Sequence, residues 1–150
     1  MSGSVKTEDG LKREAALRFL SRPRELDEAI RRKKEQIDGL RSSLTSISVS
    51  YSDMPKGGSG PGSRIEDGIV GLMGLEEEVA ALETERSKIV SSIAATISLI
   101  SKPEEQQVLA ELYLLGKGWD EAVEATEFSR EKFRQLRREA INDLSSILWR

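Results

Sequence analysis

Between Phe128 and Glu139 the sequence places Arg130, Lys132, Arg134, Arg137 and Arg138 against only two acids, Glu131 and Glu139, in a chain whose net charge is −3. Read as a helix, this stretch puts Phe133, Leu136, Ala140, Ile141, Leu144 and Leu148 on one inward stripe. Arg130, Lys132, Arg134, Gln135 and Arg138 then project from the other face. Those side chains match the edges and backbone of double-stranded DNA. An arginine fork fits guanine, glutamine fits adenine, and lysine or arginine pairs with phosphate. Ser129 is a natural N-cap for this helix, and Arg130 lies in the first turn, where a recognition helix meets the bases. The candidate DNA contacts are therefore Ser129, Arg130, Lys132, Arg134, Gln135 and Arg138. A solvated surface explains any one of these charges equally well; the DNA reading rests on the set.

Other chemistry is sparse. With no cysteine and no histidine, disulfides, thiol nucleophiles, histidine catalysis and Cys/His zinc sites are excluded. No enzyme activity, cofactor or metal is expected. The glycine-rich stretch SDMPKGGSGPGSR, residues 52–64, lacks the Gly-Lys-Ser/Thr ending of a phosphate loop and follows no strand. It reads as a flexible connection, with Lys56 and Arg64 available to a partner.

Strong helix formers dominate, and the alternating β-branched runs that mark strands are missing, which predicts an all-α fold. Leu11, Ala15, Leu17, Phe19 and Leu20 predict a short first helix ending near Ser21, because the residue before Pro23 is disfavoured in helical geometry. From Arg24, Leu26, Ile30, Ile37, Leu40, Leu44 and Ile47 follow heptad spacing, with Lys33 at the one polar position. Beyond the loop, Ile65, Leu72, Leu75, Val79, Leu82, Ile89, Ile93 and Ile100 resume it, with Arg86 substituting once and Ile69 and Ile97 flanking. Two such helices joined by a loop predict an antiparallel coiled-coil hairpin. Its basic arm (Arg31, Arg32, Lys33, Lys34) should face its acidic arm (Glu76, Glu77, Glu78, Glu83, Glu85). A two-helix core is small, so a homodimer or higher homo-oligomer is expected.

After the hairpin, Pro103 and Glu104 open a helix with Val108, Leu109, Leu112, Tyr113 and Leu115 on its buried face. Gly116-Lys117-Gly118 ends it, and Trp119, Ala122 and Val123 give the next helix an apolar side. Phe128 should anchor the turn into the third helix. The predicted domains are a tail or short helix at 1–23, a coiled-coil hairpin at 24–100 with its loop at 52–64, and a helix-turn-helix at 101–150. No apolar run approaches the roughly 20 residues that span a bilayer, and the N-terminal residues lack a signal-peptide core. A cytoplasmic location without membrane contact is expected.

The run LYLLGKGWDEAVEATEFSREKFRQLRREAINDL resembles sigma-factor region 4: an apolar helix, a Gly-Lys turn, an aromatic, an acidic pair, then Ser-Arg opening the recognition helix. It departs from that pattern where Thr126 replaces a leucine, where Glu127 replaces the turn glycine, and where Ala122-Val123 inverts the large-then-small order. These changes predict weaker packing between the two helices. From about Leu11 onward the chain also resembles a family encoded by phages and prophages of Gram-positive bacteria, related to regulators of late transcription, whose recurring feature is the loop SDMPKGGSG, here residues 52–60. The resemblance implies a DNA-binding transcriptional regulator in a bacterial host cell, with RNA polymerase as a further partner. The alternatives from other classes are a small subunit of a phage DNA-packaging enzyme and a coiled-coil scaffold that does not bind DNA. In the packaging subunits the helix-turn-helix usually comes first in the chain; here it comes last.

Overall fold

The computed structural model describes residues 7–52 and 60–150, and side chains at 7–47 and 63–150. The described part is helical: α1 (Glu8–Ser52), α2 (Gly60–Ile97), α3 (Pro103–Leu109) with a π-helical continuation (Ala110–Leu114), α4 (Trp119–Thr126) and α5 (Arg130–Leu148). Most of the expected loop at 52–64, including Lys56, lies outside the described residues, while residues 60–64 already belong to α2.

Thr7 caps α1: its Oγ1 accepts the Gly10 N–H at 3.0 Å, and Glu8 and Asp9 follow in the first turn, where the helix dipole favours acids. The break expected near Ser21 does not occur, and α1 continues through Pro23. A proline inside a helix loses one backbone hydrogen bond and costs about 3 kcal/mol. The compensation is tertiary, because Pro23 is buried on the same stripe as Ala16 and Leu20.

The chain forms two compact units, Met1–Glu25 together with Arg86–Arg150, and Leu26–Glu85. This partition differs from the expected one at both hairpin boundaries. The reason lies in the first unit's core, where Ala16 and Leu20 of α1 share one cluster with Ile93 and Ile97 of α2, Ile100, Leu109 of α3, and Ala140, Ile141 and Leu144 of α5. Ile97, expected only to flank the stripe, is thus a core residue. A second cluster in the same unit joins Val108 and Leu112, Ala122 and Val123 of α4, and Phe133 and Leu136 of α5. Leu115, expected on the buried face, is 62% exposed. The π-helical segment adds a residue to the turn before it, which carries Leu115 off the inward stripe.

In the second unit α1 and α2 run antiparallel. Ile30, Ile37 and Val79 form its buried centre, lined by Leu72, Leu75 and Leu82. The sign complementarity read from the sequence is realised by Lys33–Glu78 at 2.7 Å and Lys34–Glu83 at 3.9 Å, and Arg41, outside the expected basic arm, adds a pair with Glu76 at 3.0 Å. Arg31 and Arg32 pair instead within α1, with Glu35 and Glu28. Exposed pairs contribute at most about 1 kcal/mol each, so their main effect is to favour this pairing and register over others. Farther along, Gly68 faces Leu44 and Gly71 faces Leu40, while nothing stands over Gly74. Among the described residues no helix is long and apolar enough to cross a membrane.

Candidate nucleic-acid interface

The helix-turn-helix consists of α4, the turn Glu127-Phe128-Ser129, and α5. Its shape depends on two of the positions where the sequence departs from the sigma pattern. Glu127 adopts φ 62°, ψ 12°, the left-handed conformation that glycine takes most easily, so the backbone turn forms despite the side chain. Thr126, in place of a leucine, is buried. Its hydroxyl donates to the Val123 carbonyl at 2.9 Å and accepts the Phe128 N–H at 3.4 Å, so it packs without leaving a polar orphan. Side chains bridge the two helices: Trp119 meets Phe133 edge-to-face at 4.9 Å, and Phe128 rests against the same cluster.

Ser129 acts as the cap, its Oγ accepting the Lys132 N–H at 3.1 Å. This orients the first turn of α5 but commits the hydroxyl to the backbone. The remaining candidates divide in two. Arg130 is engaged by Asp120, with Nη1 donating to Oδ1 at 2.7 Å. Lys132 lies 2.9 Å from Glu104 of α3 and 4.7 Å above the Phe128 ring. Gln135 makes a long contact, 3.4 Å, to Glu139. Arg134 and Arg138 are exposed, one turn apart, and among the described residues neither carries a hydrogen bond or ion pair.

The fifth basic residue of the stretch has a different part. Arg137 is half-buried, donates from Nε and Nη2 to Tyr113 Oη at 3.2 and 2.9 Å, and sits 5.8 Å from the Trp119 ring. It ties α5 to the end of the α3 segment and the start of α4.

Sequence reasoning missed the two carboxylates, Asp120 and Glu104, that occupy Arg130 and Lys132, since they come from other elements. It also missed Glu105, although a signal was present: Glu105 stands three, four and seven residues before Val108, Leu109 and Leu112, hence on their face. Glu105 is fully buried. Burial, and then the neighbouring Asp143 carboxyl, push its pKa up to about 7, against a smaller downward pull from Lys102. Both of its oxygens are buried; the Lys102 ammonium stands 3.5 Å from one of them, and the Asp143 carboxyl is close enough to share a proton with Glu105. No group of three or more acidic residues placed to hold a metal ion occurs among the described residues.

Comparison of the chain with protein-family models, with curated proteins and with solved structures returns no match.

Proposed function

We propose that this protein is a DNA-binding transcriptional regulator of phage or prophage type, which presents α5 to the major groove. The observation that carries the reading is the Arg134–Arg138 pair: two exposed guanidinium groups one helical turn apart, without counter-charges among the described residues, on a helix whose opposite face is core. Either can form a bidentate contact to guanine or a charged contact to phosphate. The three-residue turn and the Ser129 cap support the same reading, as do the resemblance of residues 108–144 to sigma-factor region 4 and that of the loop at 52–60 to the phage family. The paired α1 and α2 helices serve self-association or contact with RNA polymerase. Self-association would bring two weak half-site contacts onto one duplex.

Gel shifts across a salt series, on the DNA upstream of the protein's own gene, test the reading. Wild type should bind with a steep salt dependence, and Arg134→Ala with Arg138→Ala should weaken binding by about 1–3 kcal/mol per lost base contact. Equal, weak binding by both proteins removes the assignment.

A second reading, a protein-docking unit on a sigma-like frame, is favoured by one observation: acids of the same unit already occupy Arg130 and Lys132. Under that reading the double arginine variant loses a protein partner while DNA binding stays at the non-specific level in both proteins.

A further inference from the structure

We propose that a surface pocket of about 250 Å³ beside α5, lined by Arg24, Leu112, Tyr113, Lys117, Trp119 and Arg137, binds a phosphate group. The argument begins with Arg137. Its guanidinium is held in place by two hydrogen bonds to a single phenol oxygen, Tyr113 Oη, and by the Trp119 ring. A phenol oxygen fixes the fork without cancelling its charge, and most of its five N–H donors remain. Arg24, reaching the same pocket from α1, makes no ion pair among the described residues. Lys117 is neutralised by Glu111 at 2.6 Å and adds little.

Two guanidinium groups therefore line one small pocket without a carboxylate of their own, in a chain with more acids than bases. Two arginine forks match the several oxygens and higher charge of a phosphate better than they match a single carboxylate. The volume falls below the usual range of about 300–1,000 Å³ for small-molecule sites. It suits a phosphoryl group and part of what carries it, and is too small for a whole nucleotide.

A phosphodiester of duplex DNA and a free phosphate ester offer the same chemistry. Arg137 lies three residues from Arg134 and adjacent to Arg138, so the pocket borders the proposed DNA face. Only this duplex source rests on the DNA reading; the phosphate site stands without it.

The test uses the full chain with Trp149→Phe, so that Trp119 is the one indole left. Inorganic phosphate is titrated against sodium chloride at matched ionic strength, with Trp119 fluorescence and the arginine side-chain N–H signals as readouts. A saturable response to phosphate alone is expected. Arg24→Ala, a change at an exposed position, should weaken it about tenfold, the loss expected for one charge-assisted contact. Arg137→Lys should weaken it comparably, because an ammonium cannot replace the fork. No response beyond chloride, or unchanged binding by Arg24→Ala, overturns the proposal. If duplex DNA displaces phosphate and Arg24→Ala lowers the salt slope of DNA binding by about 1, the source is the DNA backbone. If phosphate binds and DNA does not displace it, the pocket serves a free phosphate ester. Phosphate binding without any DNA binding sustains the pocket and removes the regulator reading.

Discussion

Asp120 and Arg130 meet across the helix-turn-helix at 2.7 Å, joining the first turn of α4 to the first turn of α5. Both side chains are mostly exposed, so the pair adds little to stability. Its effect is on availability, because it holds a carboxylate against a residue of the proposed DNA face.

Asp120→Asn should therefore strengthen DNA binding. Removing one like charge near the phosphates and freeing Arg130 predicts a gain of about twofold to fivefold at low salt, shrinking as salt screens the field. Fluorescence anisotropy with a labelled duplex at several salt concentrations measures it. Weaker binding by this variant would mean that the pair positions Arg130 rather than occupying it.

Glu105 makes stability depend on pH in an unusual direction. Its folded pKa, about 7, lies above the ordinary 4.5, so across that interval the folded protein keeps a proton that the unfolded chain releases. This residue's contribution is fully favourable below pH 4.5, declines as pH rises toward 7, and levels off above it. With no histidine in the chain, few other groups titrate near 7. Glu105→Gln should raise the melting temperature at pH 8 by the equivalent of up to about 3 kcal/mol, and the advantage should shrink toward pH 5. A gap between variant and wild type that stays constant from pH 5 to 8 would contradict this.

At the turn, Glu127 carries a side chain in left-handed geometry, φ 62°. Glu127→Gly relieves roughly 1 kcal/mol of that cost, partly offset by the flexibility of glycine in the unfolded chain. Chemical denaturation should show a small gain in stability. A loss would mean that the carboxylate itself contributes to the fold.

Two glycines of α2 should respond unequally to the same change. At Gly74 an added methyl meets open space, so Gly74→Ala gains the ordinary helix preference of about 0.5–1 kcal/mol. At Gly68 the methyl would overlap Leu44 Cδ2 and come within 3.2 Å of its Cγ. Leu44 is half-buried and the overlap is with the end of its side chain, so turning it aside should cancel much of the helix preference and leave Gly68→Ala less stabilising than Gly74→Ala; adding Leu44→Ala should remove that steric part. Thermal melts of the four proteins separate helix preference from close packing.

Periodicity carried most of the fold. The heptad stripes foretold the helix pair, and charge signs foretold Lys33–Glu78 and Lys34–Glu83, because both follow from spacing along a helix, whereas Arg41 lay outside the expected basic arm. Pro23 misled because a local rule was overridden by burial, which spacing alone does not weigh. In the candidate site, the Ser129 cap and the exposure of Arg134 and Arg138 were legible, being local to α5. The occupation of Arg130 and Lys132 was not, since it depends on which elements the fold brings beside that helix. Arg137 was separable from its neighbours only once Tyr113 and Trp119 were seen to meet it.

The first unit is assembled from two segments far apart in sequence, with Ala16 and Leu20 completing a core whose other members lie between Ile93 and Leu144. During synthesis, at about 5–20 residues per second, the apolar side of early α1 emerges seconds before the residues that will cover it. The helix-turn-helix is accordingly not a detachable cassette. A fragment starting after the hairpin would expose the surface on which Ala16 and Leu20 rest, and a chain stopped before α5 would leave those two residues without much of their cover.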